Sequence, residues 1–133
     1  MAKMKAVNPW VWQDQLSFSQ AIEIEGGKRV VYCAGQTSVD ANGNPMHARD
    51  MAKQMNQALD NLETVLEQAN LKLANVVRLN YYTTDMAAFR NAAERALGAR
   101  LAAAGCKPAS TLLGVKDLFH PDIMIEIEAT AIA

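Results

Sequence analysis

The sequence predicts an α+β domain in which one mixed sheet carries two helices on one face, in the order β-β-α-β-α-β-β. Three observations lead there. Two segments of amphipathic helix, each preceded by an aspartate, interrupt a series of strands. The strand segments alternate with period two. Helical crossovers of this length suit parallel pairing with right-handed connections, which places both helices on one side.

Taking the elements in order, residues 17–25, SFSQAIEIE, alternate and read as a strand. Gly26-Gly27 then marks a tight turn into RVVYCAG at 29–35, so the two segments are expected to form a hairpin. Asp40 to Pro45 is dense in turn residues. From Asp50 to Asn70 the period lengthens: Met51, Met55, Ala58, Leu59, Leu62, Val65, Leu66 and Ala69 recur at three and four. Asp50 suits the N-cap, where a carboxylate accepts from first-turn amides. VVRLNYYTT at 76–84 is a β-branched and aromatic strand. Asp85 can cap a helix over 86–104 striped by Phe89, Ala93, Ala96, Leu97, Leu101 and Ala104, with Gly105 as its stop. Strands follow at 110–116 and 123–131.

Length and composition fit a single domain spanning 1–133, with no repeat or linker. The chain has 133 residues, half of them hydrophobic, which is enough for one core. A net charge of -1 without a basic cluster argues against nucleic acid as a partner. The absence of a long apolar run argues against a membrane span, and the expected compartment is the cytoplasm. Two cysteines without ligand spacing suggest neither a disulfide scaffold nor zinc, and the two histidines form no metal pattern, so no metal and no cofactor are expected. Cys33 reads as a buried inert thiol, and Cys106 as a loop residue open to exposure. Trp10 and Trp12 share one side of an extended segment, placed either to roof a cleft, to pack at a subunit seam or to seal the core.

One sheet face is unusual. Arg78, Asn80 and Tyr82 share a face of the third strand, and Met124, Glu126, Glu128 and Thr130 share one of the last. Such a face is either solvated or buried in an oligomer with Arg78 and the glutamates paired.

Several segments, in order and at spacing, together resemble the RidA/YjgF family, also called endoribonuclease L-PSP. They are Ser17-Phe18-Ser19-Gln20, Ala34-Gly35-Gln36, Gln54 with Leu59-Asp60-Asn61-Leu62, Thr84-Asp85-Met86 with Phe89, Pro108-Ala109, and Ile125-Glu126-Ile127-Glu128-Ala129. The resemblance implies a chorismate-mutase-like fold and a homotrimer whose sheets line a central barrel. It implies a small-molecule ligand in a cleft between subunits and, in many members, cofactor-free hydrolysis of enamines and imines to a keto acid and ammonia. By position Glu126 matches the glutamate that holds the attacking water, while Glu128 reads as structural. Phe18, Ala34, Gly35, Ala93, Ser110 and Leu112 fall at ligand-lining positions. Four of these depart from the pattern: Ser110 replaces the arginine that grips the substrate carboxylate, Phe18 a tyrosine, Ala34 a serine and Ala93 an asparagine. The expected ligand therefore lacks an α-carboxylate. A deaminase of small imines, a non-catalytic metabolite-binding or regulatory protein, and a ribonuclease are the competing functions, the last suggested only by the family's older name.

Overall fold

The computed structural model of the chain describes residues 2–133. Its strands are β1 (Lys3–Val7), β2 (Ala21–Glu25), β3 (Val30–Tyr32), β4 (Gln36–Thr37), β5 (Val76–Thr83), β6 (Ala109–Gly114) and β7 (Ile125–Ile132). Helix α1 spans Met51–Gln68; α2, Met86–Ala93, continues through a π turn, Glu94–Gly98, into α3, Ala99–Ala103. The sheet order is β3-β7-β5-β6, with β4 also against β7. β5 and β6 run parallel, and β7 is antiparallel to its neighbours. This is the expected α+β, chorismate-mutase-like arrangement of helices on a mixed sheet.

Asp50 and Asp85 cap α1 and α2, accepting from the amides of Lys53 and Ala88. The periodic face of α1 packs down on the sheet, with Met55, Ala58, Leu59, Leu62 and Leu66 wholly buried. They meet Leu79 of β5 and Ile125, Ile127, Ala129 and Ala131 of β7 in one apolar cluster. Tyr81 packs edge-on against Phe89 of α2, ring centroids 5.6 Å apart. Fully buried Gln54 joins the start of α1 to β7. Its Nε2 donates to the carbonyls of His47 and Asp122, and its Oε1 accepts from the Met124 amide.

The N-terminal third departs from expectation. Residues 17–25 do not pair with 29–35. β2 pairs instead with β1, a strand the sequence reading missed, in a separate two-stranded ribbon. β3 joins β7. Ser17 lies in the left-handed region at φ 56, which ends the extended run, so β2 begins only at Ala21. The expected strand at 29–35 is also broken. Tyr32 opposes Thr130 and Gln36 opposes Ile127, so four steps on one strand meet three on the other. The extra residue is a β-bulge around Ala34 and Gly35.

Two further expectations change. Trp12 opens a 3-10 turn, and Trp10 and Trp12 are 57% and 60% exposed, so neither seals the core. Cys106 is buried, not exposed, and burial pushes its thiol up to about 12.

Replacing Gln54 by leucine orphans three backbone groups at once. Each unmet buried group costs about 1–3 kcal/mol, so urea unfolding of Gln54→Leu is expected to show a loss of at least 2 kcal/mol with an unchanged m-value.

Candidate functional site

Period-two alternation decides what Glu126 faces. Its neighbours Ile125 and Ile127 are fully buried beneath the helices, so Glu126 projects from the opposite face with Glu128. On that outer face Asn80 Nδ2 and Tyr82 Oη both donate to Glu128 Oε1, at 3.0 and 2.9 Å. Asn80 Oδ1 is buried and accepts from no group among the described residues. Arg78 does not pair with either glutamate as expected; its Nη2 donates to Thr111 Oγ1 at 2.7 Å.

The two glutamates titrate in opposite directions. Desolvation, and then the neighbouring Glu128 charge, push the Glu126 carboxyl above its usual range. The hydrogen bonds from Asn80 and Tyr82 hold Glu128 below it. Glu128 is thus a fixed anion tied into the sheet face. Of the two, Glu126 is the one that holds its proton to higher pH.

Gly35 and Glu126 form a matched pair. The bulge brings Gly35 beneath the Glu126 side chain, and a Cβ built there would fall on the carboxylate, 2.6 Å from Glu126 Cδ. Glycine here is therefore a matter of space, and the acid lies in the groove that the missing side chain leaves. Exposed Ala34 is beside it.

The other expected residues gather elsewhere. Ser19 is fixed to the start of β6: its amide donates to the Pro108 carbonyl at 2.9 Å and its Oγ to the Lys107 carbonyl at 2.6 Å. Ser19 bridges Ala109 in parallel register, which sets Phe18 alongside Pro108, just before β6 and one strand period short of Ser110. Ser17 Oγ reaches the Gly98 carbonyl of the π turn at 3.5 Å, the turn that Ala93 precedes. Ser110 and Leu112 pair with Leu79 and Tyr81, whose side chains point toward the helices. These two lining residues therefore project from the helix face, at the sheet edge that β6 forms.

The expected residues thus fall into two half-sites. Ala34, Gly35 and Glu126 occupy the outer face; Phe18, Ala93, Ser110 and Leu112 occupy the far edge on the helix side. Two strand spacings, about 10 Å, and the sheet itself separate them within one chain. Trp12, one of the two tryptophans expected at a cleft roof, a subunit seam or the core's end, meets the Phe18 ring edge-on at 5.9 Å, a contact the residues alone did not specify.

Comparison with known proteins gives a consistent result. The family described as Endoribonuclease L-PSP matches residues 13–133. A RutC family protein of Pyrococcus horikoshii, PH0854, is 32% identical over 114 residues, covering 86% of this chain and 85% of its own. The Rid family protein YyfB of Yersinia pestis is 34% identical, with 98% of each chain covered and a TM-score of 0.84. The YjgF gene product of E. coli is 26% identical, covering 86% of this chain and 87% of its own, with a TM-score of 0.69.

The opposed titrations predict a pH signature. A carboxylate whose folded pKa is raised loses stability as pH climbs from the unfolded toward the folded value; one whose pKa is lowered gains it over the mirror window. Glu126→Gln should therefore gain stability relative to wild type as pH rises above the usual carboxylate range. Glu128→Gln should lose it, in paired urea titrations between pH 3 and 7. Gly35→Ala should displace the acid, and the carboxyl carbon resonance of Glu126 should then titrate nearer its ordinary range.

Proposed function

The chain belongs to the Endoribonuclease L-PSP (RidA/YjgF) family, and on that premise we propose that it is a cofactor-free hydrolase of small imines and enamines that lack an α-carboxylate. The observation that carries this reading is the Glu126 carboxyl, lodged over Gly35 with its pKa raised and no cation paired to it among the described residues. Such a group can accept a proton from water near neutral pH and return it to a leaving amine.

Separation of the half-sites supports the accompanying proposal that the working site lies between subunits of a homotrimer. Glu126 of one copy would then face Phe18, Ala93, Ser110 and Leu112 of the next. The mixed outer face, with its buried orphan Asn80 Oδ1, supports closure around that face. Water is oriented by Glu126 against the imine carbon. The carbinolamine that forms expels ammonia as Glu126 returns the proton. We place the protein in the cytoplasm; no helix among the described residues is long and apolar enough to cross a membrane.

Ser110 defines the substrate boundary. A charge-assisted hydrogen bond is worth about 1.5–3 kcal/mol, so its loss weakens a carboxylate ligand by roughly one to two orders of magnitude. A neutral hydroxyl does not restore it. The same loss is the observation that favours the second reading, a metabolite-binding or regulatory protein without turnover.

Ammonia release from a panel of imines, with and without carboxylate groups, tests the proposal. Wild type should prefer the carboxylate-free members, and Glu126→Gln should lower kcat by about 10²–10⁴-fold. Sedimentation of both should give three times 14.5 kDa. Ser110→Arg should shift preference toward 2-aminoacrylate by tenfold or more. Turnover unaffected by Glu126→Gln would sink the catalytic reading; a trimer that hydrolyses no member of the panel would favour the binding protein.

A further inference from the structure

Resting on the reading above, we infer that the crevice selects a cation bearing a flat apolar group, with Trp12 as a specificity-determining residue, so that the substrate is an iminium derived from a monoamine. Two independent features of the chain converge on this.

The first is charge. Glu126 and Glu128 are two carboxylates on one sheet face, and among the described residues Glu126 forms no ion pair. The ion pairs among the described residues lie elsewhere, at Lys53–Asp50, Arg100 with Asp60 and Glu63, and His120–Asp122. Arg78 is committed to Thr111. It stands four residues along β5 from Tyr82, the residue opposite Glu126, so about 13 Å away. Arg90, Arg95 and Lys107, on the segments adjoining the other half-site, are exposed to water. No cation among the described residues pairs with the acid, which leaves it available to a positively charged ligand.

The second is the aromatic pair. Trp12 is 60% exposed, yet it does not hang from a loose segment. The next residue, Gln13, is completely buried and accepts from Gln20 Nε2 through its Oε1. Phe18 is fixed through Ser19 to β6. The rings meet edge-on at 64°, and most of the indole stays open to solvent. In the trimer proposed above, the neighbouring copy's Glu126 comes to this indole, and a ring and an acid so placed form a receptor for an alkylammonium or iminium group, because the ring quadrupole and the carboxylate attract the same charge. A carboxylate ligand would be repelled by both.

The chemistry then balances without an oxidant or reductant. Water oxygen bonds to the iminium carbon while one water proton passes to Glu126. Glu126 returns that proton to nitrogen, the C–N bond breaks with its electron pair on nitrogen, and the hydroxyl proton of the carbinolamine then passes through Glu126 to the departing ammonia. A neutral carbonyl compound and ammonium leave.

The test uses the trimeric protein in a Trp10→Phe background, so that Trp12 is the sole indole. Its fluorescence is titrated with 2-phenylethylammonium, 2-phenylethanol and 3-phenylpropanoate at pH 7. The ammonium should bind at least fivefold more tightly than the alcohol and tenfold more tightly than the carboxylate. By calorimetry, Trp12→Ala should weaken the ammonium roughly 2–5-fold with the trimer intact. Glu126→Gln should erase the difference between ammonium and alcohol. In a trimeric sample, carboxylate binding that equals or exceeds ammonium binding overturns the inference, as does a failure of all three probes to bind. A monomer in sedimentation instead overturns the underlying intersubunit reading.

Discussion

Everything functional in this chain depends on the two-sidedness of its central sheet. Along β7, Ile125, Ile127, Ala129 and Ala131 are driven under the helices by the burial of apolar surface, and that fixes Glu126 and Glu128 outward. The same rule applied to β6 turns Ser110 and Leu112 toward the helices. A one-residue slip in either strand would exchange the faces. The core thus determines the acid's position, and it also determines that the acid and the serine cannot share a pocket within one subunit.

Local devices refine what alternation supplies. The bulge at Ala34 and Gly35 bends the edge beside β7 and lets the Glu126 side chain lie where a Cβ would stand. The left-handed Ser17 and its contact with the π turn swing Phe18 to the β6 edge. Gln54 ties the start of α1 to the start of β7, so the helix cannot shift without disturbing the strand that carries the glutamates. Burial raises the proton affinity of Glu126, and Glu128, held ionised by Asn80 and Tyr82, adds to it.

Both helices, their aspartate caps and the three strands from β5 onward were legible in the residues, because each has one strong period and a clear boundary. The N-terminal pairing was not. Alternation in AIEIE states which side chains share a face but not which strand lies alongside, and Gly26-Gly27 would serve a hairpin equally well. The real partner, KMKAV, is short and exposed throughout, so no buried stripe marks it. Glu126 was found through its resemblance to a family position. Its partner Gly35 was named, but the steric reason for glycine there needed the bulge, which alternation cannot announce. Trp12 misled because a 3-10 turn, not an extended strand, carries it.

The central claim is that Glu126 of one subunit meets the Ser110 edge of another. Ala34 lies beside the acid, so the double variant Ala34→Cys/Ser110→Cys tests it directly; the native thiols at Cys33 and Cys106 are both buried. A short bismaleimide followed by a denaturing gel should give chains linked into dimers and trimers, with neither single variant linking. A gel showing only monomers for the double variant would contradict the account.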